Sequence, residues 1–165
     1  MIEKKHILSI LVDNESGVLS RISGLFSGRG YNIESLCVAE TTDPQVSRIT
    51  MVTNGDTGIL EQIKKQLNKI INVIKVYDLT GQEYVAMELI LIKVTAKMEN
   101  RAEILRISDI FRGQIVDVGT DNYTISVTGD FNKIDAILNL LKPYGIKEIA
   151  RTGSVALSRE NQIKS

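Results

Sequence analysis

The order strand, helix, strand, strand, helix, strand occurs twice along this chain, and that recurrence restricts the possible architectures more than any composition figure does. Ile7-Leu8-Ser9-Ile10-Leu11-Val12 reads as a buried strand, broken by the cap-forming run Asp13-Asn14-Glu15-Ser16-Gly17. Val18, Leu19, Ile22, Leu25 and Phe26 then recur at helical spacing, and Gly28 and Gly30 can end that helix. Asn32 to Glu40 and Ser47 to Thr53 are β-rich runs joined by Thr41-Thr42-Asp43-Pro44-Gln45, whose Asp-Pro step predicts a hairpin turn. Leu60, Ile63, Leu67 and Ile70 lay an apolar stripe along a second helix, and Val73 to Leu79 returns as a strand.

The second copy follows the polar joint Gly81-Gln82-Glu83. Val85 to Thr95 is apolar enough to predict a strand buried on both faces. Ile104, Leu105, Ile107 and Phe111 mark a helix closed by Gly113, and Ile115 to Val118 should pair with Tyr123 to Thr128 across Gly119-Thr120-Asp121-Asn122. Phe131, Ile134, Ile137, Leu138 and Leu141 form the last stripe, stopped by Pro143 and Gly145, and Ile146 to Leu157 can supply a final strand. Two successive βαββαβ units predict an α+β chain of two ferredoxin-like domains, residues 1–80 and 81–165, each an antiparallel sheet with both helices on one face. A unit of this size hides only ~60–65% of its unfolded surface, so each half is expected to gain from oligomerisation. A partner copy would cover the open sheet face or protect the edge strands.

Composition excludes several function classes. Lysine plus arginine equals aspartate plus glutamate, 20 against 20, with no run of one sign, so nucleic acid and anionic membranes are not expected as partners. One cysteine, Cys37, and one histidine, His6, leave no internal disulfide and no Cys/His zinc site, which suits a reducing cytoplasm. Met1 to His6 has no apolar signal-peptide core and reads as a frayed lead-in up to Lys5, and no apolar run reaches the ~20 residues that span a bilayer. His6 lacks a visible orienting acid and nucleophile, and Cys37, within Leu36-Cys37-Val38, reads as a small buried hydrophobe, so no catalytic residue is expected. Gly24, Gly28 and Gly30 follow the start of a helix at spacings that fit neither dinucleotide nor P-loop motifs. The five tyrosines and three phenylalanines do not gather on a central strand as RNA-stacking aromatics would.

The run Asp13 to Gly17 differs from the rest because it sets free backbone N–H groups at a helix start, where an anion such as an amino-acid carboxylate is stabilised. Asn14 or Ser16 capping the helix would account for it without a ligand, and the two roles can coexist.

Asp13-Asn14-Glu15-Ser16-Gly17-Val18-Leu19-Ser20-Arg21, followed by Gly28-Arg29-Gly30-Tyr31-Asn32-Ile33-Glu34-Ser35-Leu36, resembles the small regulatory subunits of acetolactate synthase, also called acetohydroxyacid synthase. Asp43-Pro44 with Ser47-Arg48-Ile49-Thr50, Phe111 to Val118, and Arg151-Thr152-Gly153 with Leu157-Ser158-Arg159 extend the resemblance over nearly the whole chain. It implies an ACT domain followed by a ferredoxin-like C-terminal domain, and a chain without catalytic residues of its own. The implied partner is a catalytic (large) subunit, a transferase that uses thiamine diphosphate, magnesium and FAD to condense pyruvate into acetolactate for branched-chain amino acid synthesis. This chain would activate that partner and confer feedback inhibition by valine, bound between two ACT domains of a homodimer. By motif match the implied effector residues are Asn14, Glu15, Ser16, Gly17 and Val18 of one loop, with Asn32 and Ile33 at the start of the second strand. Read without the resemblance, Asn32 is a turn residue and Gly17 a cap.

Two other classes compete. A stand-alone amino-acid-sensing ACT protein would act on another partner, although no helix-turn-helix or basic stripe is visible. An acylphosphatase-type enzyme would need an arginine in the first loop, where Asp13 and Glu15 instead repel phosphate.

Overall fold

The computed structural model describes residues 4–159. Among these the chain divides into two compact units, one running to Val85 and taking up the segment from Ser154, the other Ala86–Gly153.

The first unit contains β1 (Lys4–Asp13), α1 (Val18–Ser27), β2 (Ile33–Glu40), β3 (Val46–Gly55), α2 (Thr57–Leu67) and β4 (Val73–Asp78). Its sheet is antiparallel with order β2-β3-β1-β4. Strand alternation turns Leu8, Ile10 and Val12 of β1 toward one face, where Val18, Ile22 and Phe26 of α1 and Leu60, Ile63 and Leu67 of α2 close the core. Each such side chain, fully buried, contributes about 1.5–3 kcal/mol relative to exposure. Tyr31 N–H donates to the Phe26 carbonyl and Gly30 N–H to that of Ser27, so Gly30, at φ +69°, completes a Schellman end for α1. The Asp56 side chain caps α2 by accepting from Gly58 N–H at 2.6 Å.

Two expectations for this unit change. β1 begins at Lys4, not Ile7, because Lys4 and Lys5 continue the ladder against Gly55 and Asn54 of β3. Residues 1–3 of the expected lead-in lie outside the described residues. His6 therefore sits inside a strand, is buried, and has Nε2 3.2 Å from the Gly55 carbonyl oxygen. Cys37 is half-buried on the edge strand β2, since that strand has only β3 beside it.

The second unit repeats the plan with β5 (Tyr84–Thr95), α3 (Arg101–Ile110), β6 (Gln114–Val118), β7 (Asn122–Gly129), α4 (Phe131–Leu141) and β8 (Ile146–Arg151), in sheet order β6-β7-β5-β8. Ile90, Ile92 and Val94 of β5 meet Ile104 and Ile107 of α3 and Ile134, Ile137 and Leu141 of α4 in its core. Both units thus have the ferredoxin-like βαββαβ arrangement.

Three sequence expectations are corrected here. β5 is buried on one face only: its alternate residues Val85, Met87, Leu89 and Leu91 are 46%, 41%, 38% and 39% exposed. Both helices of the unit lie on the other face, so the outward row stays open however apolar it is. Gly113 does not end α3. Arg112 takes the left-handed conformation at φ 54°, with Arg112 N–H donating to Asp109 and Gly113 N–H to Ser108. Gly113 is needed for space, since a Cβ there would stand 2.9 Å from Ser108 Oγ and about 3.0 Å from the Val127 methyl carbon. Finally, the run expected as one strand to Leu157 is two, β8 and β9 (Val155–Ser158). Thr152 ties off β8, its N–H donating to the Leu89 carbonyl and its hydroxyl oxygen accepting from Leu89 N–H. Ser154 N–H donates instead to Ser35 Oγ of β2, within the first unit.

Candidate functional site

The loop between β1 and α1 is fixed from three directions by backbone hydrogen bonds. Asp13 N–H donates to the Asn72 carbonyl at 2.8 Å, Asn14 N–H to that of Gln45 at 2.8 Å, and Glu15 N–H to that of Asp13 at 2.9 Å. Asn14 Nδ2 adds a donation to the Pro44 carbonyl at 2.9 Å, which ties the loop to the β2–β3 hairpin. Neither Asn14 nor Ser16 caps α1, so that expectation is corrected: the N-cap is Gly17, at φ 85° and ψ −11°, and no side chain caps the helix. The first intrahelical bond runs from Arg21 N–H to the Gly17 carbonyl, leaving Val18, Leu19 and Ser20 N–H at the helix start without an intrahelical acceptor. A left-handed residue there is easiest for glycine, and a Cβ on Gly17 would meet nothing within 4 Å, so the space beside this turn is open.

Asn14, Glu15, Ser16 and Gly17 are exposed, whereas Val18, the next residue, is buried in the core. Behind the loop lies a residue that sequence reading missed. Asn72, 8% exposed, accepts from Arg21 Nη1 at 2.6 Å and donates through Nδ2 to Glu15 Oε2 at 3.1 Å and Asp13 Oδ2 at 3.4 Å. The only available signal was an asparagine set between the apolar pairs Ile70-Ile71 and Val73-Ile74, and nothing in its spacing linked it to a loop some 57 residues away.

Asn32 and Ile33 are not brought to this loop. Asn32 is exposed, with its carbonyl accepting from Thr53 Oγ1 at 2.6 Å, and Ile33 pairs with Thr53. Asp13, at the loop end, pairs with Val46. Val46 and Thr53 are the two ends of a seven-residue step along β3, about 23 Å at ~3.3 Å per residue, so the two groups of residues occupy opposite ends of one sheet. Among the described residues no His, Cys, Asp and Glu cluster could hold a metal ion, and no helix is long and apolar enough to cross a membrane.

Residues 8–75 match the family model described as the AHAS small subunit-like ACT domain, and residues 87–160 match that of the small subunit of acetolactate synthase. The chain is 54% identical to the acetolactate synthase small subunit of Aquifex aeolicus, over 98% of this chain and 84% of that one. It is 52% identical to the small subunit of Bacillus subtilis, over 98% and 94% of the two chains. The crystal structure of the Thermotoga maritima acetolactate synthase small subunit superposes with a TM-score of 0.86 at 40% identity, covering 96% of this chain and 99% of that one. With the two matched domains in the order the fold requires, this chain belongs to the acetolactate synthase small-subunit family.

Proposed function

We propose that this chain is the regulatory subunit of an acetolactate synthase: it binds and activates a separate catalytic subunit in the cytoplasm and makes it sensitive to feedback inhibition by valine. The chemistry then belongs to the catalytic subunit, with its thiamine diphosphate, magnesium and FAD, and this chain contributes no reacting group. The observation that carries the reading is the loop geometry. Gly17 opens α1 in a left-handed turn that leaves three N–H groups for the effector carboxylate, while Asp13 and Glu15 on the same loop offer the opposite charge to its ammonium.

The separation along β3 supports a homodimer through residues 1–80. Gly17 and Asn32 of one chain are too far apart to share one amino acid, so Asn14, Glu15, Ser16, Gly17 and the Val18 N–H of one copy would face Asn32 and Ile33 of a second. The C-terminal half then modulates coupling to the catalytic subunit.

Two measurements test this. Acetolactate formation by the catalytic subunit should rise when this chain is added and fall again as valine is titrated, with no pyruvate consumed by this chain alone. Because coupling between bound ligands is reciprocal, valine should also bind with a different affinity once the catalytic subunit is present. A purified catalytic subunit indifferent to this chain would remove the proposal.

A further inference from the structure

The face of the first sheet that the helices leave uncovered carries its own ordered chemistry. Directly paired residues share a face, so the strand register assembles rows across it. One row is Cys37, Thr50, Ser9 and Tyr77, and the next is Ala39, Arg48, Leu11 and Lys75. Ser9, Arg48, Tyr77 and Leu79 line a cavity of about 200 Å³ that Leu157 and Ser158 of β9 close, and all six residues belong to the first unit.

Two cations converge on one ring at this cavity. Lys75 Nζ lies 4.8 Å and the Arg48 guanidinium carbon 5.9 Å from the Tyr77 ring centroid. Arg48 Nη1 donates to Ser9 Oγ at 2.6 Å, and Ser9 is 1% exposed. With that lone pair engaged, the Ser9 proton remains to be donated, and it has no acceptor among the described residues. No carboxylate among the described residues forms an ion pair with Arg48 or Lys75. Asp13, the next acid along the same face of β1, accepts from Asn72 instead. A half-buried guanidinium with one of its five donors used, beside a second cation and a buried hydroxyl, is an unbalanced positive site. Ring faces attract cations but do not neutralise them.

We propose that this cavity binds a small oxyanion, a carboxylate or a phosphate, held by Arg48 and the Ser9 hydroxyl, with Lys75 adding charge and Leu79 and Leu157 receiving any short apolar portion. The site is separate from the β1–α1 loop and does not depend on the valine reading. Guanidinium geometry suits the planar edge of a carboxylate and the oxygens of phosphate alike, so the two sources are separated by experiment.

The full-length chain, isotopically labelled, is titrated separately with inorganic phosphate and with acetate at constant ionic strength, following the amides of Ser9, Tyr77 and Lys75 and the Arg48 Nε–H. Saturable shifts at these positions are expected with at least one probe, and the tighter of the two names the ligand class. Arg48→Gln should weaken that binding at least tenfold, Arg48→Lys less, and Lys75→Gln severalfold. Gly17→Asn should leave it unchanged. Lys75→Gln, at an exposed position, serves as the readout should Arg48→Gln fail to fold. Shifts that never saturate, that survive both neutral substitutions, or that vanish in Gly17→Asn would each overturn the assignment.

Discussion

Arg21 and Asn72, at the start of α1 and just before β4, meet through a 2.6 Å hydrogen bond from Nη1 to Oδ1, and the amide nitrogen of the same asparagine faces Glu15 and Asp13. Asn72 therefore reads both signs of charge with one side chain and fixes where the β1–α1 loop sits. Asn72→Ala is expected to cost about 1–3 kcal/mol, because charged partners lose a buried hydrogen-bonding group. Asn72→Asp would keep the Arg21 contact but place a carboxylate against two others, so it should disturb the loop more than its charge balance with Arg21 suggests. Urea unfolding measures the stability change, and valine titration of the reconstituted enzyme measures the loop. Equal effector response in both variants and the parent would separate Asn72 from the effector loop.

Gly17 provides the sharpest test of the effector reading. Its φ of 85° means that any side chain there is strained, so Gly17→Asp alone confounds backbone strain with charge. Asparagine has nearly the same shape and tolerates this conformation to a similar degree. Gly17→Asn should retain partial valine inhibition and Gly17→Asp should abolish it, with activation of the catalytic subunit largely kept in both. Comparable stability of the two by circular dichroism, with unchanged valine sensitivity in the aspartate variant, would take the loop out of the site.

Arg112 occupies a conformation that costs a non-glycine residue roughly 1–2 kcal/mol. Arg112→Gly relieves it, offset by about 0.5–1 kcal/mol of added chain entropy in the unfolded state. The expected gain is about 0.5–1 kcal/mol in urea unfolding. Gly113→Ala, the neighbouring change, should destabilise instead, because its Cβ would press on Ser108 and Val127.

Lys64 of α2 and Asp78 of β4 form a pair at 2.7 Å that is mostly shielded from solvent. Burial alone pushes the Asp78 carboxyl up, but hydrogen bonds from Lys64 and Thr80 outweigh it and hold the pKa below the ordinary value. Its stabilising contribution is therefore complete above the unfolded pKa of about 3.9 and is lost as pH falls through the lower folded value. For Lys64 burial lowers the pKa, and the hydrogen bonds to Asp78 and Glu61 raise it further than burial lowers it. That contribution is complete below about 10.4 and fades as pH rises through the higher folded value. Asp78→Asn should lower stability at neutral pH by about 1–2 kcal/mol and flatten the acid limb of the stability profile. An acid limb identical to that of the parent would show that other carboxylates set it.

Local sequence determined the elements of this protein and their order. Leu60, Ile63 and Leu67 repeat at helical spacing and all three are buried, while Asp43-Pro44 turns the hairpin where expected, because periodicity and turn chemistry act over a few residues. The family was legible too, in the words around Asn14 to Arg21 and Gly28 to Leu36. Only the tertiary structure decided what depends on distant neighbours. It put Asn72 behind Glu15, gave the left-handed turn to Arg112 while Gly113 was needed for clearance, and left one face of β5 open because both helices lie on the other. It also returned Ser154 to Ser35 of the first unit. A one-dimensional pattern records how hydrophobic a residue is and at what period, but not which atoms arrive from 50 or 100 residues away to occupy its space or accept its hydrogen bonds.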